Sequence, residues 1–236
     1  MREKIIGILG GMGPEATYDI FGRIIKLTQV KNDSDHIRVI IDSNSKIPDR
    51  TKAILGNGAS PIKEMIATAQ NLQKAGADFV IIPCMTAHFF IEEIQKSISI
   101  PIIDGLEETN RYIDKNYCSA NKIGLLATTG TIEAQLFQKS LQGKTVILPD
   151  KKLQEEVVMD TIYGENGIKA GNTSGETLNR LIEVVKILQN EGAEMIIAGC
   201  TEVGLVIKQK NIDIPLIDPL TVLAERAIIL AKNIEK

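Results

Sequence analysis

Two cysteines carry the clearest chemical potential in this chain. Cys84 stands in Pro83-Cys84-Met85-Thr86-Ala87-His88, and Cys200 stands in Gly199-Cys200-Thr201-Glu202. Each follows an apolar run and opens a new helical pattern. Each is therefore expected at the C-terminal end of a strand, the edge where open α/β sheets bind ligands. Two thiols on opposite faces of a carbon beside a carboxylate could invert that carbon. One, as thiolate, removes a proton, and the other, as thiol, returns one. A free thiol ionises near pH 8.5, and a helix N-terminus lowers that value. The Thr86 and Thr201 hydroxyls and the neighbouring N–H groups could hold the carboxylate, where charge spreads in the transition state.

The residues around the cysteines fill other roles. His88 follows Cys84 by four positions, one face of a helix, so a Cys–His metal pair is conceivable. No third ligand stands at matching spacing and the chain has no C-x-x-C, so no metal is expected. His88 reads instead as a residue that caps, orients or tunes the site, and Glu202 as its counterpart. Cys118 lies in the polar stretch Lys115-Asn116-Tyr117-Cys118-Ser119 and reads as structural. Gly11-Met12-Gly13-Pro14-Glu15-Ala16 fits a dinucleotide fingerprint, but Asp42 lies too far beyond it to be the ribose-binding acid. This loop and Ala127-Thr128-Thr129-Gly130-Thr131 are read as substrate-lining. Arg50 offers a planar fork for a carboxylate, and Lys169 lies in a glycine-rich loop.

The elements that must position these groups alternate between strand and helix. Strands are expected over residues 4–9, 39–42, 78–82 and 100–103. Pro14 suits the first position of a helix. Met65, Ala69 and Leu72 recur at helical spacing before Gly76, a C-terminal glycine. Residues 47–51 read as a polar loop. Such alternation predicts parallel sheets built from βαβ units.

The pattern then repeats. Ile6-Gly7-Ile8-Leu9 matches Ile123-Gly124-Leu125-Leu126, and Ile100-Pro101-Ile102-Ile103-Asp104 matches Ile214-Pro215-Leu216-Ile217-Asp218. Gly7 and Gly124 are 117 residues apart, Cys84 and Cys200 116, and Pro101 and Pro215 114. Near-constant offsets over separate segments predict a duplicated pair of α/β domains, residues 1–105 and 106–215. A pseudo-two-fold axis would then set Cys84 and Cys200 across one cleft.

Composition bounds the class. With 236 residues the chain suits one large or two small domains. A net charge of −3 gives no basic patch for nucleic acid. No apolar run reaches the ~20 residues of a membrane span. Met1-Arg2-Glu3-Lys4 leads into residues 5–13, of which only five are apolar and the other four glycine, so no export signal is expected. Three cysteines then suggest free thiols in the cytoplasm rather than disulfides.

As a set these motifs resemble the aspartate/glutamate racemase family, and most closely its aspartate racemase branch. The matching stretches are Gly7-Ile8-Leu9-Gly10-Gly11-Met12-Gly13-Pro14, Ile47-Pro48-Asp49-Arg50-Thr51, Pro83-Cys84-x-Thr86-Ala87-His88, Ala127-Thr128-Thr129-Gly130-Thr131, Lys169-Ala170-Gly171-Asn172 and Gly199-Cys200-Thr201-Glu202. The resemblance implies racemisation without pyridoxal phosphate, two like α/β domains with the site in the cleft between them, and a homodimer. It implies that residues 216–236 return onto the first domain. It makes Cys84 and Cys200 the acid/base pair, acting on aspartate or a close acidic amino acid. Met12, Asp49, Arg50, Thr51, Met85, Thr86, Ala87, Thr128, Thr129, Thr131, Lys169, Thr201 and Glu202 would line the substrate, the loops of Arg50 and Lys169 holding its second carboxylate. One position departs from the family: Met85 stands where asparagine usually follows the first cysteine. An altered substrate, or a non-catalytic binder of acidic amino acids, is the alternative that this departure raises.

Overall fold

The computed structural model describes residues 2–173 and 175–234. The chain divides into two compact units, Met1–Glu108 with Leu220–Lys236, and Thr109–Pro219. The division falls inside the helix Gly105–Asn116, a little beyond the expected residue 105.

In the first unit, strands β1 (Ile6–Gly10), β2 (Val39–Ser43) and β3 (Phe79–Ile81) form a parallel sheet in the order β2-β1-β3. Every residue of β1 is buried, as expected of a strand covered on both faces. Residues 100–103, expected as a strand, contribute a single parallel bridge, Val80 to Ile102. The helix Ile62–Lys74 buries Met65, Thr68, Ala69 and Leu72 along one stripe. Gly76, at φ 97°, ends it in the left-handed conformation that glycine adopts without strain.

In the second unit, β4 (Lys122–Leu126), β5 (Thr145–Ile147), β6 (Met195–Ala198) and β7 (Leu216–Ile217) pair in parallel in the order β5-β4-β6-β7. The short edge strand β5 has no counterpart among the expected strands. The helix Gly175–Asn190 covers this sheet with Leu181, Val184, Val185 and Leu188.

The repeat seen in the sequence is present in the register. Ile6 pairs with Phe79 as Ile123 pairs with Met195. The Asp78 side chain accepts from the Ile5 N–H at 2.7 Å, and Glu194 accepts from the Lys122 N–H at 2.8 Å. The Val80 N–H donates to Pro101, and the Ile196 N–H to Pro215. Gly7 and Gly124 are equivalent too: a Cβ at Gly7 would lie 2.9 Å from the Ala77 Cβ, and one at Gly124 3.2 Å from the Ala193 Cβ.

The helix Pro219–Lys232 belongs to the first unit. It buries Leu220, Leu223, Ala224, Ala227 and Ala231. The Lys4 N–H donates to the Ala231 carbonyl at 2.9 Å, the Arg23 guanidinium reaches the Thr221 hydroxyl, and Arg226 pairs with Glu108 at 3.4 Å. Leu216 and Ile217 pair with β6, so the returning segment begins at Leu220 and not at residue 216. Among the described residues, no helix is long and apolar enough to cross a membrane.

Candidate active site

Each cysteine ends the segment after the third strand of its repeat and caps the turn that follows. Cys84 precedes the 3-10 turn Met85–Phe90, and Cys200 precedes the helix Thr201–Val206. Both thiols are buried, at 7% and 5% exposure, and Cys118 is exposed. From the sequence, a helix N-terminus is expected to lower the thiol pKa. Cys200 behaves in the opposite way. Burial pushes its thiol well above the ordinary range, and the Glu202 charge pushes it further; Lys169 pulls the other way without reversing it. A helix of six residues is too short for its dipole to overcome desolvation and an adjacent carboxylate.

Glu202 organises the second-unit site. The Cys200 thiol donates to its Oε2 at 2.9 Å, and the Thr201 hydroxyl donates to the same oxygen at 3.0 Å. Lys169 Nζ pairs with Oε1. Burial works to raise the Glu202 carboxyl, but Lys169 and the Cys200 hydrogen bond hold it below the ordinary carboxylate range. Burial likewise works to lower the Lys169 ammonium, and Glu202 reverses that, with Cys200 and Tyr163 adding to it, so the ammonium stays charged. Its Nζ also sits 5.2 Å from the centre of the Tyr163 ring, a favourable cation–π distance. Lys169, expected to await a substrate carboxylate, already has an internal one.

The loop after β4 is also more ordered than expected. Thr128 caps the helix Thr129–Glu133, accepting from the Thr131 N–H, and the Thr128 and Thr131 hydroxyls lie 3.2 Å apart. The segments Lys151–Leu153, Gln154–Met159 and Asp160–Tyr163 run on, the middle one wound as a π-helix. From it Gln154 Nε2 donates to the Ala127 carbonyl at 2.9 Å and reaches the Thr129 hydroxyl at 3.4 Å. Met159 Sδ accepts from the Thr129 N–H at 3.3 Å. Gln154 had no signal in the sequence beyond its place after an unforeseen strand.

In the first unit, residues 47–51 are not all loop. Asp49 caps the helix Arg50–Ile54, accepting from the Lys52 N–H at 2.8 Å. Arg50 and Thr51 are buried. The Arg50 guanidinium donates to Ile47 and Pro48 carbonyls at 3.3 and 2.9 Å, and to the Met12 carbonyl at 3.1 Å. It thus anchors the glycine-rich loop after β1. Thr86 and Ala87 are buried beside Cys84.

His88 is locked. Its Nε2 accepts from the Gly105 N–H at 2.9 Å, so the ring proton is assigned to Nδ1, which donates to the Cys84 carbonyl at 3.0 Å. With both nitrogens engaged, His88 is a positioning group for the Cys84 turn and not a metal ligand. Among the described residues no three His, Cys, Asp or Glu side chains form a metal-holding group. Met85 is 1% exposed. Its thioether end lies beside Gly105, on which a Cβ would meet the Met85 Cε at 3.1 Å and the His88 Nε2 at 3.2 Å.

Residues 9–227 match the family model of the Asp/Glu/hydantoin racemases. The chain belongs to that family. It is 31% identical over 228 residues to the broad specificity amino-acid racemase RacX of Bacillus subtilis, covering 95% of this chain and 96% of that one. A solved aspartate racemase of Picrophilus torridus superimposes with a TM-score of 0.84 at 25% identity, covering 97% and 94% of the two chains. An aspartate racemase homologue from Pyrococcus horikoshii gives 0.75 at 28% identity, covering 97% and 99%. Membership of this racemase family supports an amino-acid racemase activity that needs no pyridoxal phosphate.

Proposed function

We propose that this racemase inverts the α-carbon of an acidic amino acid, aspartate foremost, with Cys84 and Cys200 as its two acid/bases. The observation that carries the reading is the register of the repeat. Both cysteines stand at the N-cap position of the segment that follows the third strand of a parallel sheet, in two units built on the same pairing. In one direction Cys84, as thiolate, takes the α-proton, and the Cys200 thiol gives its proton to the opposite face. In the reverse direction the Cys200 thiolate left by that step takes the α-proton and the Cys84 thiol gives its proton to the opposite face, while Glu202 exchanges protons with the Cys200 thiol between turnovers. Arg50 and Lys169 serve the side-chain carboxylate, Lys169 sharing its ammonium between Glu202 and the substrate. The reading includes a cytoplasmic homodimer, on the resemblance alone.

A broader substrate range is the second reading. Met85 puts a thioether where the family usually has an amide, and the Bacillus subtilis relative is named for broad specificity. One experiment addresses both readings. The protein is incubated in deuterated water with aspartate, glutamate and a panel of neutral amino acids, and α-deuterium and enantiomer ratio are followed. Deuterium in aspartate together with equalised enantiomers is expected. Cys84→Ala and Cys200→Ala should each abolish racemisation, and Cys118→Ala should leave it unchanged. Faster exchange into neutral amino acids than into aspartate would favour the second reading. Binding with no exchange into any substrate would make the protein a binder and overturn both.

A further inference from the structure

We propose that Gln154 is the second unit's counterpart of Arg50 and that it receives the α-ammonium group of the substrate. The inference rests on the racemase reading above. In the first unit the helix after β2 sends back Arg50, whose guanidinium donates to the Met12 carbonyl in the loop after β1. In the second unit the helical segment after β5 sends back Gln154, whose amide donates to the Ala127 carbonyl in the loop after β4. Strands β1 and β4, and β2 and β5, are equivalent in the two sheets. The two side chains therefore make the same kind of anchor at equivalent places, but their chemistry differs. Arginine offers donors only, whereas glutamine keeps an acceptor.

That acceptor is the second observation. A carbonyl can only accept, so the end of the amide facing Ala127 must be the NH₂ group, which fixes Oε1 as the other end. Gln154 is 6% exposed, and its Oε1 is buried with no hydrogen-bond partner among the described residues. A buried acceptor beside a hydroxyl-lined loop suits a donor brought by a ligand. Of the charged groups on an acidic amino acid, only the ammonium is a donor. Gln154 opens a π-helical segment, a winding frequent at functional sites.

The test compares aspartate with succinate, which keeps both carboxylates and lacks the amine, by competition and calorimetry on the full chain. Gln154→Lys retains a donor for the Ala127 carbonyl and removes the acceptor. Gln154→Met keeps the volume and supplies the same comparison if the lysine variant does not fold. The expected result is aspartate affinity weakened about tenfold or more, the loss of one hydrogen bond to a charged group, with succinate changed less than about threefold. Equal weakening of both ligands would make Gln154 a loop anchor only and overturn the proposal, as would no change in either. If the native protein neither binds aspartate nor exchanges its α-hydrogen, the functional reading falls and this proposal with it. Native exchange with equal weakening sinks the proposal alone.

Discussion

Glu202 sets what Cys200 can do. It accepts the thiol proton's hydrogen bond and holds the Lys169 ammonium on its other oxygen. Removing its charge takes away one of the two main influences that raise the thiol pKa and leaves Lys169, which lowers it. In Glu202→Gln the pH midpoint for alkylation of Cys200 by iodoacetamide should therefore fall, and in Lys169→Met it should rise. Peptide mass spectrometry resolves Cys200 from the exposed Cys118, and an unmoved midpoint in both variants would remove Glu202 from the proton path. The same pair contributes to stability. Breaking a buried pair costs about 3–5 kcal/mol, and the Lys169 side chain is 23% exposed, which places Lys169→Met toward the lower end. The Glu202 carboxyl is held below its ordinary value, so its contribution is full above about pH 4.3 and fades as pH falls through the lower folded value. Lys169 is raised, so its contribution is full below about pH 10.4 and is lost above that. Urea unfolding should show native and Lys169→Met differing most near neutrality and converging in acid. Cys200, Thr201 and Glu202 were legible because they are contiguous. The pairing of Glu202 with Lys169 was not, because 33 residues separate them and nothing local marks them as partners.

At the scale of elements, the Cys84 turn is tied to the helix Gly105–Asn116 through one imidazole. His88 needs its neutral form there, since a protonated Nε2 would point a hydrogen at the Gly105 N–H. Burial lowers its pKa, with Asp104 and the bond to the Cys84 carbonyl opposing. A histidine whose folded pKa is depressed contributes stability above about pH 6.5 that is lost as pH falls below it. His88→Ala should lower stability by about 1–3 kcal/mol at neutral pH, the scale for removing one buried hydrogen-bond partner. It should also flatten the decline in melting temperature between pH 7 and 5 (tracked by circular dichroism). A variant that keeps the native pH slope would assign that slope to another group. Longer elements were legible here, the helix Ile62–Lys74 from its apolar spacing and Gly76. The helices Arg50–Ile54 and Thr129–Glu133 were not. At five residues each they have barely more than one turn, so no periodicity can build up. Their only sequence mark is the capping side chain, Asp49 in one and Thr128 in the other.

At the scale of the whole molecule, the duplication was legible because glycines, acidic residues and cysteines recur where the pairing register needs them. The edge strand β5 was not, because its three residues, Thr145–Ile147, one exposed and two half-buried, carry no distinctive pattern. The unit joined by the last helix was legible only through the family resemblance. Apolar residues along Pro219–Lys232 predict burial and say nothing of the partner. In the fold they belong with the first unit, where Leu223, Ala224 and Ala227 are fully buried and Ala231 accepts from Lys4 next to β1. Residues near the end of the chain thus hold together a sheet made near its beginning. Leu223→Ala should destabilise the fold by about 2–5 kcal/mol, the range for a leucine cut from a closed core. The effect should be unevenly distributed. Hydrogen-exchange mass spectrometry should show faster exchange in peptides carrying β1 and β2. Peptides carrying β4 and β6, whose core comes from Leu126, Leu181, Val184 and Ile196, should exchange as in the native protein. Leu181→Ala should give the reverse pattern. Equal acceleration of both sets by both variants would mean that the two units open as one cooperative body. Acceleration confined to β4 and β6 in Leu223→Ala would contradict the assignment of the last helix to the first unit.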